Sequence, residues 1–294
     1  MRVLVTGREG QVVRSLAERA RGRAGVEILA IGRPELDLES PATVREAVVA
    51  ARPDVVVNAA AYTAVYQAVD EPERAFRING EAAGELAAAA REAGAGFIQI
   101  STDYVFDGSA EGAYAETSAL RPLGVYGRSK LLGEERVREA HPDATIVRTS
   151  WVYSPYGRNF VRTMLALAET RDELNVVADQ IGCPSSALDL AKGILALVEA
   201  RAAAGSSGSG ETYHLAGTGT ASWAELASVI FEEAAARGLP AAAVRPIPTA
   251  EWPTRAERPR NSVLDSSKFE RDFGYRAPPW RASVAEVVER LAAR

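Results

Sequence analysis

Tyr126 and Lys130 stand four positions apart and are the pair in this chain best suited to proton transfer. On a helix, positions four apart share one face, so the ammonium of Lys130 can lie beside the phenol and lower the pKa of Tyr126. Such a phenol can act as general acid toward a carbonyl oxygen. Thr102 ends a short apolar run, where its hydroxyl could hydrogen-bond the same oxygen. The three side chains together favour the reduction of a ketone.

A glycine-containing loop, residues 6–11 (TGREGQ), directly follows the first β-branched run. Its glycines allow a tight turn and leave the N–H groups of the next helix free to face a pyrophosphate. The third glycine of the usual dinucleotide fingerprint would fall at position 13, where this chain has Val13. The loop predicts a dinucleotide site, and a purely structural turn stays the alternative.

The end of the second predicted strand indicates which dinucleotide this site takes. The strand ends at Ile31-Gly32-Arg33, with no acidic residue at its tip to bind a ribose 2′-hydroxyl. Arg33 could pair with a 2′-phosphate, which favours NADPH and leaves NADH as an alternative. Asp37 and Leu38 are expected on the adenine side.

Short β-branched runs alternate with longer segments of helical period, which predicts βαβ units around a parallel sheet. The predicted strands are 3–6, 27–31, 55–58, 97–101 and 145–148, and the predicted helices between them are 11–21, 41–50, 72–93 and 125–140. The fold class is therefore α/β, a Rossmann-like doubly wound parallel sheet with a smaller, mostly helical C-terminal substrate lobe. We assign 1–150 to the dinucleotide-binding domain, with later returns near 174–200 and 211–217, and 151–173 and 218–294 to the substrate lobe.

Composition narrows the class of protein. The 294 residues carry a formal net charge of -5, from 34 basic and 39 acidic residues, which argues against a nucleic-acid partner. Cys183 is the single cysteine, so an internal disulfide is excluded and a cytoplasmic location is expected. Charged residues interrupt every long apolar run, so no membrane span is expected. His141 and His214 lack spaced partners, so no metal site is expected.

Seven segments resemble those of dTDP-4-dehydrorhamnose reductases, within the extended short-chain dehydrogenase/reductase superfamily. They are 57–65 (VNAAAYTAV), 101–108 (STDYVFDG), 122–130 (PLGVYGRSK), 148–153 (RTSWVY), 157–160 (GRNF), 179–184 (DQIGCP) and 258–262 (RPRNS). The resemblance spans almost the whole chain. It implies NADPH- or NADH-dependent reduction of the 4-keto group of a dTDP-linked 6-deoxyhexose, a small-molecule sugar nucleotide. A homodimer is the expected assembly.

The resemblance implies Thr102, Tyr126 and Lys130 as catalytic residues. Together with the glycine loop and the strand ends, it predicts a set of cofactor-binding residues. These are Gly7, Gly10, Gln11, Val12, Arg33, Asp37, Leu38, Ala59, Ala60, Ala61, Tyr62 and Thr63, with Tyr126 and Lys130. The residues expected to contact the sugar nucleotide are Thr102, Asp103, Tyr104 and Trp151, with Asn159 and Arg258 facing its diphosphate.

One segment departs from the family pattern. Where the family continues Asp-Lys-Ala-Glu, this chain has Tyr66-Gln67-Ala68-Val69, which exchanges three charged residues for neutral ones. Two alternatives follow: a reductase of a different, more deoxygenated keto-sugar nucleotide, or variation on an exposed turn. A third is a non-catalytic, dinucleotide-binding regulatory subunit of the same fold.

Overall fold

A parallel sheet of six strands forms the centre of the computed structural model, which describes residues 1–293. Its spatial order is β2-β1-β3-β4-β5-β10, so the chain winds outward in both directions from β1. The strands are β1 Arg2–Thr6, β2 Glu27–Ile31, β3 Val55–Asn58, β4 Gly96–Thr102, β5 Thr145–Thr149 and β10 Thr212–His214. The change of direction lies between β1 and β3, where α/β sheets of this kind bind their ligands. The predicted doubly wound α/β fold is confirmed.

Helices cover both faces of this sheet, because its strands are buried on both sides. On one face, Val44 of α2 and Leu86 of α5 pack against the strands, and on the other, Leu16 of α1 and Ile194 of α8. The helices around the sheet are α1 Gln11–Arg19, α2 Pro41–Ala51, α3 Gln67–Asp70, α4 Pro72–Phe76, α5 Ala82–Glu92, α6 Val125–Ala140 and α8 Ala187–Ala204. Among residues 1–293, no helix combines the length and the apolar character needed to cross a bilayer.

The helix predicted over 72–93 contains an irregularity. A π-helical segment, Arg77–Glu81, separates α4 from α5. Widened turns of this kind are rare and occur frequently at functional sites. Here the widened turn lies against α6, at Gly133.

The smaller lobe has its own hydrophobic core, built around Tyr153, Val161, Ile230 and Val284. Its helices are α7 Phe160–Ala168, α9 Trp223–Ala235 and α11 Trp280–Ala292, and α10 Ser267–Phe273 packs back on β10. Three short sheets complete it: β11-β8-β13, β12-β7 and β6-β9. Their strands are β6 Val152–Tyr153, β7 Glu173–Val177, β8 Ile181–Gly182, β9 Ser185–Ser186, β11 Ala221–Ser222, β12 Ala243–Ile247 and β13 Asn261–Ser262.

The return to the sheet expected near 174–200 was wrong in its first part. β7 pairs with β12 in a separate two-stranded sheet, and only the helical part, α8, packs on the central sheet. The reason is visible in the burial of β7: Leu174 and Val176 are buried while Glu173 and Asn175 are exposed. Such one-sided burial suits a small sheet against a helix, whereas a central strand is buried on both faces. The division into two domains itself stays a prediction.

Candidate active site

A cleft of about 1170 Å³ opens at the carboxyl ends of the central strands. Loops after β1, β2, β3, β4 and β5 contribute to its walls, because parallel strands end at the same edge of the sheet. All residues predicted to bind the dinucleotide line this cleft: Gly7, Gly10, Gln11, Val12, Arg33, Asp37, Leu38, Ala59, Ala60, Ala61, Tyr62, Thr63, Tyr126 and Lys130. Their roles as ligands stay predictions, and the structure brings them together in one place.

The glycine loop has the geometry that a pyrophosphate requires. Gly7 has φ 100°, a conformation that side-chain-bearing residues rarely adopt. Gly10 precedes α1 and offers no side chain to the free N–H groups of the helix start, which therefore point into the cleft unpartnered by a cap. Val13, in place of the third glycine, is buried and packs beside Gly7. The donor set therefore fits the phosphates of a dinucleotide despite the substitution.

Thr6 fixes the junction between β1 and β3. Its hydroxyl donates to Oδ1 of Asn58 at 2.7 Å and accepts from the N–H groups of Ala59, at 3.0 Å, and Ala60, at 2.9 Å. These bonds hold the two loops of the switch point together, so the Thr6 hydroxyl fixes the floor of the cleft.

Two guanidinium groups stand where the second strand ends. Arg33 is exposed and lines the cleft. Arg8, which was not predicted, also lines it and pairs with Glu35 at 2.6 Å. A pair of arginines at this position suits a ribose 2′-phosphate, because guanidinium donors match phosphate oxygens.

Thr102 and Tyr126 lie side by side in the cleft, as predicted. The Thr102 hydroxyl donates to Oδ1 of Asp103 at 2.9 Å and accepts from the N–H of Tyr104 at 3.2 Å. The neighbouring Thr102 hydroxyl also lowers the pKa of the Tyr126 phenol. Close packing holds the phenol in place, because a Cβ at Gly127 would lie 2.2 Å from the Tyr104 carbonyl oxygen.

Lys130 lies on the same helix, but its contacts differ from the prediction. Its Nζ donates to the carbonyl of Ile100 at 2.8 Å. Burial lowers the pKa of Lys130 to about 8, against the attraction of Glu134. Burial, with the charge of Asp103, raises the pKa of Tyr126 above its ordinary value. The expectation that Lys130 acidifies the phenol was therefore wrong for the protein alone, since desolvation and the charge of Asp103 both favour the neutral phenol.

Besides the phenol of Tyr126, the site holds a second buried acidic group, the carboxyl of Asp103. Burial raises its pKa to about 6, although hydrogen bonds from Ser262 and Thr102 favour its charged form. Its Oδ2 atom has no hydrogen-bond partner. A carboxyl group that is buried, half-satisfied and next to a phenol is typical of sites that bind or transfer protons.

A buried ion pair behind the catalytic residues was missed by the sequence analysis. Glu134 accepts from Nε of Arg148 at 2.9 Å, from its Nη2 at 2.7 Å and from the Ser101 hydroxyl at 2.5 Å. Both charged side chains are 3% exposed. The pair joins α6 to β4 and β5 next to Thr102, so it positions the catalytic helix on the sheet. Its signal was available, because Glu134 lies one helical turn after Lys130 on the same face.

Asn79, in the π-helical segment, was also missed. Its Oδ1 accepts from the N–H of Tyr62 at 2.8 Å, while its Nδ2 donates to the Tyr62 carbonyl at 3.0 Å and to the Ser129 hydroxyl at 2.9 Å. Asn79 thereby connects a cofactor-facing loop to α6. A polar residue on an otherwise apolar helix face was the only signal for it.

Trp151 lines the cleft and its indole is backed by that of Trp223. Their rings stack at 3.6 Å between centroids with planes 7° apart. Trp151 has φ 48°, a strained conformation for a bulky residue, of the kind that persists at functional sites. Gly182 makes room for the indole, since a Cβ there would lie 2.4 Å from it. Thr102, Asp103, Tyr104 and Trp151 all line the cleft, as expected of substrate-facing residues.

Asn159 and Arg258 are not among the residues that line the cleft. Asn159 caps α7: its Oδ1 accepts from the N–H of Arg162 at 3.2 Å, and its Nδ2 donates to the carbonyl of Ser154 at 2.8 Å. Its amide is therefore engaged in local structure, and its expected diphosphate contact stays a prediction. Arg258 lies at the mouth of the cleft, where its Nη2 donates to the Tyr66 hydroxyl at 2.6 Å.

Comparison with known proteins agrees with this site. A family model described as the RmlD substrate binding domain matches residues 1–293. The chain is 47% identical over 291 residues to a dTDP-4-dehydrorhamnose reductase of Sinorhizobium fredii, covering 98% of this chain and 97% of the relative. It is 40% identical over 297 residues to the dTDP-4-dehydrorhamnose reductase of Escherichia coli, with 99% and 98% covered. The solved structure of dTDP-4-dehydrorhamnose reductase from Bacillus anthracis in complex with NADP superposes with a TM-score of 0.90 at 35% identity, covering 98% of this chain and 99% of that one.

The fold and the site define a Rossmann-fold reductase of the short-chain dehydrogenase/reductase superfamily, because a dinucleotide cleft and a Thr-Tyr-Lys set share one sheet edge. More narrowly, the chain belongs to the RmlD substrate binding domain family. The resemblance to dTDP-4-dehydrorhamnose reductases, predicted from seven motifs, is confirmed.

Proposed function

We propose that this protein reduces the 4-keto group of a dTDP-linked 6-deoxyhexose, with NADPH as the reductant. The observation that carries the proposal is the meeting of Thr102, Tyr126 and Lys130 in one cleft with the glycine loop. The relatives named dTDP-4-dehydrorhamnose reductase support the substrate class, and the NADP complex of the Bacillus anthracis protein supports the coenzyme.

The residues around the glycine loop would hold the dinucleotide. Gly10, Gln11 and Val12 offer backbone N–H groups to the pyrophosphate, and Arg33 with Arg8 suits the 2′-phosphate that distinguishes NADPH from NADH. When bound, the reduced nicotinamide supplies a hydride for the carbonyl carbon. Lys130 lies where it can orient the nicotinamide ribose.

Tyr126 donates the proton that completes the reduction. The ketone gains a hydride at carbon and a proton at oxygen, so the C=O double bond becomes a CH–OH group. The raised pKa of Tyr126 suits this direction, because a donor must be protonated when the substrate arrives. The phenolate that remains accepts stabilisation from the Thr102 hydroxyl.

On the substrate side, we propose that Thr102, Asp103 and Tyr104 bind the sugar while Trp151 forms an apolar wall. Arg258, at the cleft mouth, is proposed to face the diphosphate, because a guanidinium is the donor best matched to phosphate oxygens.

The test is the loss of NADPH absorbance on adding a dTDP-linked 4-keto-6-deoxysugar. Tyr126→Phe should lower kcat roughly a hundredfold or more while leaving the Kd for NADPH unchanged. Binding of NADPH without turnover of any keto-sugar nucleotide would contradict the proposal and favour the regulatory subunit. A clear preference for a more deoxygenated sugar would keep the reaction and change the substrate.

We also propose a cytoplasmic location, supported by the single cysteine, Cys183, which is buried and free. The homodimer stays a prediction, and size-exclusion chromatography with light scattering tests it.

A further inference from the structure

Tyr66 and Arg258 make a contact between two loops beside the cleft, whose lining includes Val65 and Gln67, the two neighbours of Tyr66. Tyr66 stands just before α3, in the sheet domain, and Arg258 lies between β12 and β13, in the smaller lobe. Nη2 of Arg258 donates to the Tyr66 hydroxyl at 2.6 Å, and its guanidinium carbon lies 5.1 Å from the centroid of the Tyr66 ring. The hydrogen bond and the cation–π contact together fix the guanidinium in one orientation.

The loop that carries Arg258 packs beside the start of α6. The charge of Arg258 lowers the pKa of Tyr104 against the effect of burial. The Tyr104 ring in turn packs edge to face on Tyr126, at 5.4 Å between centroids. The carbonyl of Glu257 approaches Gly124, the residue that precedes α6. The loop of Arg258 therefore reaches the helix that carries Tyr126.

The charge of Arg258 is not neutralised by an acidic side chain. Among the ion pairs formed within residues 1–293, none includes Arg258, and its partner Tyr66 is a neutral phenol. Its Nε is buried without a hydrogen-bond partner. A held cation with an unused N–H group matches an anionic ligand with several oxygens, which is the chemistry of a diphosphate.

We propose that Tyr66 is a positioning residue for the diphosphate of the sugar nucleotide, holding the Arg258 guanidinium toward the cleft without cancelling its charge. This inference rests on the proposed function, since it names the residue that prepares the diphosphate contact. A carboxylate at position 66 would pair with Arg258 and compete with the ligand for the same cation, whereas a phenol orients the cation and leaves it free.

The experiment measures dTDP binding by calorimetry and steady-state kinetics with the keto-sugar nucleotide. Tyr66→Phe keeps the ring and removes the hydroxyl, so the Kd for dTDP and the KM for the sugar nucleotide should each rise roughly threefold to tenfold, with kcat and the KM for NADPH unchanged. Arg258→Gln should raise the same two constants by roughly thirtyfold. In the Arg258→Gln background, Tyr66→Phe should add nothing further, because its effect acts through the guanidinium.

Asp70→Asn is the matched control. It breaks the neighbouring ion pair with Arg255, of 3.1 Å, at the same cleft mouth, and should leave the Kd for dTDP unchanged. Tyr66→Phe with unaltered dTDP affinity, or with an effect that adds fully to that of Arg258→Gln, would overturn the inference. Wild-type protein that neither binds dTDP nor oxidises NADPH with a keto-sugar would instead overturn the proposed function, and the inference with it.

Discussion

The buried carboxyl of Asp103 predicts how the stability of this protein depends on pH. Its pKa is raised from 3.8 to about 6 by burial. A group whose pKa is raised on folding stabilises the folded state when protonated, so its contribution is fully present below pH 3.8 and is lost as pH rises through 6. At about 1.36 kcal/mol for each pH unit between the two values, the loss by pH 7 is about 3 kcal/mol.

Asp103→Asn tests this directly, because an amide of the same shape cannot ionise. The free energy of unfolding of the variant relative to wild type should rise by about 2–3 kcal/mol between pH 4 and pH 7. Urea unfolding followed by circular dichroism, at several pH values across this range, measures the difference. The pH dependence of the difference matters more than its absolute value, since the new amide also changes the hydrogen bond with Thr102.

Asp107→Asn supplies a control of opposite sign. The pKa of Asp107 is lowered by hydrogen bonds from the backbone and hydroxyl of Ser109, so its carboxylate stabilises the fold above its ordinary pKa and loses that effect in acid. Replacing Asp107 should therefore destabilise the protein about equally at pH 7 and pH 4, and the effect should shrink only below pH 3.8. A difference for Asp103→Asn that stays constant from pH 4 to pH 7 would refute the raised pKa and with it the burial argument.

Three further predictions concern the coenzyme, the ion pair and the aromatic wall. Arg33→Ser should raise the KM for NADPH roughly tenfold and leave that for NADH nearly unchanged, as steady-state rates with both coenzymes will show. Glu134→Gln should destabilise the fold by about 3–5 kcal/mol in urea unfolding, because Arg148 keeps a buried, unpaired charge. Gly182→Ala should raise the KM for the sugar nucleotide several-fold at constant KM for NADPH, because a Cβ would lie 2.4 Å from the Trp151 indole.

Each of the three has a matched control in the chain. Arg21→Ser removes an exposed arginine at the end of α1 and should leave both coenzyme constants unchanged. Glu135→Gln alters the exposed neighbour of Glu134 and should leave the stability unchanged. Gly112→Ala adds a Cβ with nothing within 4 Å and should leave the KM unchanged. Equal effects in a variant and its control would contradict the corresponding prediction.

The central sheet could be predicted from sequence because its signals are local. β-branched runs such as 55–58 predict buried strands, and a proline at a helix start, as in α2, marks the first turn. The helix predicted over 125–140 has those bounds in the structure. Once the strands are parallel, topology alone brings Thr102 and the glycine loop to one edge, so the catalytic set was accessible without knowledge of side-chain packing.

The errors arose where tertiary environment decides. The pKa of Tyr126 depends on how thoroughly α6 and the Tyr104 loop exclude water, and the spacing of Tyr126 and Lys130 carries no information about that. The segment 174–177 was expected to return to the central sheet, but β7 pairs with β12, because burial on one face only suits a small separate sheet. Asn159, expected at the diphosphate from motif resemblance, caps α7, a position that asparagine prefers before an apolar helical run.

The contact between Tyr66 and Arg258 could not be predicted from strand topology or from helical spacing. The two residues are 192 positions apart and each belongs to a loop, and neither kind of pattern fixes where such loops meet. The proton donor is held by α6 on the sheet, whereas the expected diphosphate side is completed by contacts between the lobes. Exchanges at positions 66–69 can therefore alter how a sugar nucleotide is held while Tyr126 and Lys130 keep their places. This separation explains how the segment can depart from the family pattern while the catalytic set is retained.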